Sequence, residues 1–196
     1  MTIAVVSLTG KELAAVVPAV AKMRIAVFRH WPYLYDGTMD YETGYLSKFS
    51  NTEGAVIVVA RDGDAIVGCA TAAPLAGVEA EFSAPFRACG CDIFRIFYCG
   101  ESVLLPAYRG RGLGHSFFDR REAQARSLGE FTHSVFCAVV RPPDHPLRPR
   151  DYVPLDGFWS RRGYDRIDGM MAHFAWKDID QPIETAKPMQ FWMKAL

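Results

Sequence analysis

The chain has 196 residues, 50% of them hydrophobic and 22% charged, enough to bury one core and to predict a single domain over 1–196. Its 22 basic and 22 acidic residues cancel, which removes the electrostatic footprint of a nucleic-acid binder. No apolar run approaches the ~20 residues of a membrane span, and "MTIAVVSLTGKE" has neither the basic flank nor the apolar length of a signal peptide.

Thr9 and Glu12 stand at capping-box spacing, and Leu13, Val16, Val17, Val20, Arg24, Val27 and Phe28 follow at mostly helical intervals. Pro18 interrupts that pattern and predicts a kink or two successive helical pieces. "HWPYLYDG" (30–37) reads as a loop, and "TMDYETGYLSKFS" as a second helix with Tyr41, Tyr45 and Phe49 spaced along it. Two β-branched runs then flank Arg61-Asp62-Gly63-Asp64, a hairpin signal. Residues 74–92 look like an irregular insertion. Their Cys89-Gly90-Cys91 lacks a second Cys/His pair at ligand spacing, so no metal site is expected. With no regular disulfide framework among Cys69, Cys89, Cys91, Cys99 and Cys137, reduced thiols and a cytoplasmic location are expected.

"IFRIFYCGESVLLP" predicts a strand that leads through three glycines into a helix from about Gly112 to Leu128, with Gly129 as its C-terminal cap. "THSVFCAVV" predicts a further strand, and the proline-rich 141–154 is long for a simple connection. A short helix in "LDGFWSRRGY", ended by Gly163, precedes closing strands in "RIDGMMAHFAW" and "MQFWMKAL". The fold class is therefore α/β: N-terminal helices, a hairpin, a strand–loop–helix–strand unit and further strands in one mixed sheet. The aromatic last strand offers a surface for a homodimer.

A strand, a bare turn and a helix start together form an anion site, because main-chain N–H groups converge there with the positive end of the helix. Lys and Ser/Thr do not follow Gly114 as a P-loop needs, and position 115 is His where a dinucleotide fingerprint needs Gly or Ala. Arg109-Gly110-Arg111-Gly112-Leu113-Gly114 instead fits Arg/Gln-x-x-Gly-x-Gly/Ala. This resembles the pyrophosphate loop of the Gcn5-related N-acetyltransferase (GNAT) superfamily. Two helices, the hairpin and the late "FWSRRGY" agree in order, although the specific likeness sits between Val103 and Phe117.

The resemblance implies the acyl-CoA N-acyltransferase fold, with splayed central strands and acetyl-CoA as acyl donor. Arg109, Gly110, Arg111, Gly112, Leu113, Gly114 and His115 would hold the cofactor, and the main chain near Leu104 would meet both pantetheine and oxyanion. The reaction implied is attack of a primary amine on the thioester through a tetrahedral intermediate, which requires a base. Glu101, a carboxylate in an apolar strand, is the leading base candidate if it faces the cleft; otherwise it is paired in the core. Tyr98 is a weaker alternative. Many family members place a proton-donating Tyr four residues before the late glycine, where this chain has Trp159; Tyr152 is the substitute candidate.

Trp31, Tyr33, Tyr35 and Asp36 are expected to line the acceptor pocket, with the alternative that the aromatics only anchor their loop. Arg121 falls inside the apolar stripe of its helix, either snorkelling or paired. The acceptor implied is a small-molecule or peptide amine, with no nucleic-acid or membrane partner. Three other readings stand beside this one: a non-catalytic acyl-CoA-binding or sensor module, an enzyme for a longer acyl-CoA, and an interaction protein in which the glycines form only a turn.

Overall fold

The computed structural model describes residues 3–196. Seven strands form one mixed sheet: β1 (Ala4–Thr9), β2 (Val56–Asp62), β3 (Ala65–Pro74), β4 (Ile96–Leu104), β5 (His133–Val139), β6 (Asp165–Lys177) and β7 (Glu184–Ala195), in the order β1-β2-β3-β4-β5-β7-β6. The helices are α1 (Leu13–Phe28), α2 (Met39–Ser50), α3 (Ala80–Ala88), α4 (Leu113–Leu128) and α5 (Asp156–Arg161). Helices do not come first, as the sequence pattern suggested. β1 precedes them and pairs antiparallel with β2 at the sheet edge, where its partly exposed residues carry little of the hydrophobic signal of a core strand.

α1 runs as one helix through Pro18, so the two successive pieces offered as one alternative are not seen. Pro18 lies on the exposed side of the helix, so water can satisfy the Ala14 carbonyl that its missing N–H leaves free. Leu13, Val16, Val17 and Val20 pack with Leu46 and Phe49 of α2 onto Ile57, Val59, Cys69 and Val103 of the sheet. The hairpin is as predicted: Asp62 pairs with Ala65, and Gly63, at φ +59°, occupies the turn position that requires a positive φ. Residues 74–92 are more ordered than expected. They contain α3, whose Phe82 stacks on Tyr98 (4.5 Å) and Phe174 (4.3 Å) and whose Phe86 meets Phe191 edge-on at 4.9 Å.

α4 covers the opposite face, burying Leu113, Phe117, Phe118 and Ala125 against Val56, Val58, Ala70, Phe97 and Cys99. It ends where predicted, with Gly129 at φ +81°. α5 lies beside it, with Trp159 against Phe136 (5.1 Å) and Trp192 (5.2 Å). The last strand corrects one expectation. β7 is interior, between β5 and β6, with Phe191 and Trp192 buried in the core, so its aromatics are not an exposed dimer surface.

Candidate active site

The parallel pair β4–β5 is joined only at Ile96–His133, Phe97–Ser134 and Tyr98–Val135. Beyond these, β4 stays with β3 as far as Leu104 and β5 stays with β7 as far as Val139, so the sheet splits into a wedge. The Leu105 N–H donates to the Val67 carbonyl at 3.0 Å, which makes that a hydrogen-bonded position of the β3–β4 ladder. By the alternation of an antiparallel pair, Leu104 (opposite Gly68) and Ser102 (opposite Ala70) turn their N–H and C=O groups away from β3, into the wedge.

The glycine loop stands at the end of β4. Gly110 and Gly112 sit at φ +74° and +77°, which side chains adopt only with strain, and a Cβ on either would meet open space; backbone conformation selects glycine here. Gly112 caps α4 and its carbonyl accepts from the N–H groups of His115 (3.0 Å) and Ser116 (3.3 Å), leaving those of Leu113 and Gly114 outside that turn. The His115 ring packs on Phe158 (4.9 Å) and meets Arg162 at 3.2 Å, so this side chain joins α4 to α5. Arg109 donates through Nε to the Leu104 carbonyl (3.3 Å), and Arg111 through Nη2 to the Ala107 carbonyl (3.0 Å).

The β3–β4 register shifts between Ala70 and Ala72, beside Gly100. This bulge places Glu101 on the α1–α2 face, where its carboxylate is buried and one oxygen, Oε2, pairs with Arg24 Nη1 at 2.5 Å, so of the two expectations for this residue the paired one is what the structure holds. Arg24 also pairs with Glu42, which is fully buried. Two carboxylates thus share one guanidinium, and Oε1 of each is buried without a hydrogen-bond partner. Burial opposes charge on Arg24, but Glu101, Tyr45 and Glu42 outweigh it and raise its pKa well above the usual guanidinium value. The Tyr45 phenol is raised by burial first and then by Glu101.

Two of the residues expected to line the pocket, Tyr33 and Tyr35, lie near this cluster. Tyr33 packs on Phe28 (4.4 Å), whose ring Arg24 overlies at 5.1 Å, and burial raises its phenol most, followed by Cys137. Tyr35 is raised by burial and then by Glu42. Trp31 packs on His145 (5.2 Å) and edge-on to Tyr152 (5.9 Å), with its indole Nε1 buried and unpartnered. Tyr152 is itself raised, by burial and then by Asp156. Asp36 is held apart from them, in bonds to Arg29 (3.0 Å) and Lys177 (2.8 Å) that lower its pKa. Trp159 belongs to the core on the α4 face.

The 30–36 loop is tied to both the end of β6 and the proline-rich segment. Asp36 N–H donates to the Lys177 carbonyl (2.9 Å) and Ile179 N–H to that of Leu34 (2.7 Å). Arg141 donates to the Pro32 and Tyr33 carbonyls and forms a two-point pair with Asp178 (2.6 and 2.9 Å). Its donors are occupied in joining three segments, so Arg141 acts as a fastener.

Residues 22–149 match the acetyltransferase (GNAT) family. The chain belongs to the GNAT family. Solved structures agree with the GNAT fold over nearly the whole length. A ribosomal-protein-alanine N-acetyltransferase from Brucella melitensis is 12% identical at TM-score 0.63, over 98% of this chain and 99% of that one. An acetyltransferase from Salmonella typhimurium, solved with acetyl-CoA, is 12% identical at TM-score 0.60, over 100% and 95%. A GNAT protein from Desulfovibrio desulfuricans is 13% identical at TM-score 0.58, over 99% of both chains. No curated protein matches the chain.

Sequence reasoning did not pick out Arg24, Glu42 or Tyr45 as neighbours of Glu101. The signal was present for the first two, since each is a charge standing in the buried stripe of its helix.

Proposed function

We propose that the protein, acting as one domain over 1–196, is a cytoplasmic enzyme that transfers the acetyl group of acetyl-CoA to a primary amine of a small molecule or peptide. The observation that carries this reading is the wedge between β4 and β5, with the main-chain groups of Leu104 turned into it and the glycine loop at its mouth.

Acetyl-CoA supplies the acetyl group as an activated thioester. Main-chain N–H groups from Gly110 to Gly114, with the positive end of α4, suit its diphosphate; Arg109, Arg111 and His115 flank them. The Leu104 N–H is the donor for the oxyanion of the tetrahedral adduct. Glu101 is the candidate base: Oε2 is held by Arg24, and Oε1, buried but unpartnered, is the oxygen left to take the amine proton once the acceptor reaches it. Tyr152, a phenol protonated at neutral pH, is the donor for the leaving thiolate. Trp31, Tyr33 and Tyr35 form an aromatic wall that attracts an ammonium group, and Asp36 fixes one end of it.

The test is a thiol-release screen of amine acceptors with acetyl-CoA, run beside thermal melts with CoA. CoA should raise the melting temperature, and Glu101→Gln should lower kcat/KM for the accepted amine by about 10²–10⁴-fold. A kcat/KM unchanged by that substitution from neutral to mildly alkaline pH would remove Glu101 as base. Binding of CoA without turnover of any amine would replace the enzyme with a non-catalytic acyl-CoA-binding module.

A further inference from the structure

Arg121 is 1% exposed, on the face of α4 that meets the sheet. None of the ion pairs among the described residues includes it. Its guanidinium donates to three main-chain carbonyls instead: Phe117 through Nε (3.2 Å), and Thr71 (3.3 Å) and Glu101 (3.2 Å) through Nη1. Nη2 is buried without a partner, and the Phe118 ring lies 4.5 Å from the guanidinium carbon. A buried cation without a counter-ion is costly, and a methionine would fill the same stripe with less desolvation. Helix packing alone does not account for an arginine here.

The two sheet carbonyls it holds belong to β3 and β4 at the point where their register shifts. A bulge leaves main-chain groups without cross-strand partners, and here one guanidinium bonds both carbonyls. The same bulge sends the Glu101 side chain to the α1–α2 face and sets the alternation that turns Leu104 into the wedge. We propose that Arg121 is a positioning residue for acyl transfer: it fixes the β3–β4 bulge from the α4 side, and through it the carboxylate of Glu101 and the donor edge of Leu104. Its fixed positive charge also stands behind the Glu101 carbonyl, across the strand from the carboxylate cluster.

The catalytic part of this inference rests on the acyl-transfer reading; the bulge-holding part does not, and the test separates them. Arg121→Met keeps the side-chain volume and removes both charge and donors, whereas Arg121→Lys keeps the charge and point donors. Peptide-resolved amide hydrogen exchange on the full chain should show at least about tenfold faster exchange over residues 99–104 in Arg121→Met, with β2 and β7 little changed, and partial recovery in Arg121→Lys. With an accepted amine, Arg121→Met should lower kcat by about 10²-fold while KM for acetyl-CoA stays within about threefold, and Arg121→Lys should regain about tenfold of the loss. Unchanged exchange over 99–104, or an equal rise across the whole sheet, overturns the proposal whether or not an acceptor is known. Localised exchange with wild-type kcat overturns the catalytic role and leaves the bulge-holding one. Should Arg121→Met fail to fold, Arg121→Lys and Arg121→Gln carry the same comparison, because the lysine must again protect 99–104 better than the glutamine.

Discussion

A Cβ on Gly100 would overlap the Thr71 hydroxyl oxygen, which is itself buried without a hydrogen-bond partner. Close approach of a neighbouring group therefore excludes a side chain there, while φ is not in the left-handed region. Gly100→Ala should cost about 1–3 kcal/mol by overpacking, measured by denaturant unfolding. Thr71→Ala removes the overlapping atom and forfeits no hydrogen bond, so Gly100→Ala/Thr71→Ala should recover most of that loss. Strict additivity of the two substitutions would show that the strain lies elsewhere. The sequence showed that something unusual happens at Gly100-Glu101, since a glycine beside a carboxylate interrupts an apolar strand. It could not show what Gly100 meets, because Thr71 comes from another strand and its approach depends on a register shift that no local pattern encodes.

At the scale of elements, a buried ion pair fastens the 30–36 loop. Arg141 and Asp178 are both largely buried, and together they hold the 30–36 loop to the start of the 141–154 segment and the end of β6. Asp178→Asn leaves a buried guanidinium without its counter-charge and should cost about 3–5 kcal/mol, with earlier proteolysis within 141–154. Burial alone would raise the Asp178 carboxyl, but hydrogen bonding and charge from Arg141, then the Lys187 charge, hold it below the usual carboxylate range. A depressed folded-state pKa gives stability that is present above the unfolded value and lost as pH falls through the folded one. The fastener should therefore outlast ordinary carboxylates in an acid titration, releasing the segment below about pH 4. A proteolytic pattern that changes between neutral pH and pH 5 would contradict this. Most elements were legible from periodicity and turn residues: the hairpin, β4, α4 with its glycine cap, and α5. Two were not, for different reasons. β1 is a partly exposed edge strand that looks like an ordinary terminus, and α3 is masked by Pro85 and alanines, with two phenylalanines, Phe82 and Phe86, as its main anchors.

Over the whole molecule, β4 separates buried charges of opposite sign. On one face Glu42 and Glu101 surround Arg24, a net charge of one negative unit; on the other Arg121 stands without an ion-pair partner among the described residues, beside Glu122, which pairs with Arg162 and Lys194. Each charge was readable as an anomaly in an apolar stripe. Their partners were not, because α1, α2 and β4 meet only after the chain has folded around the sheet. Arg24 neutralises two carboxylates at once, so Arg24→Met should do more than remove a contact. It leaves two like charges in a buried site with no counter-charge between them. The variant should therefore lose about 3–5 kcal/mol relative to wild type, measured by denaturant unfolding. Adding Glu42→Gln should recover part of that loss, because a single carboxylate then faces no like charge. A double variant no more stable than Arg24→Met alone would mean that the two carboxylates do not act as one electrostatic unit.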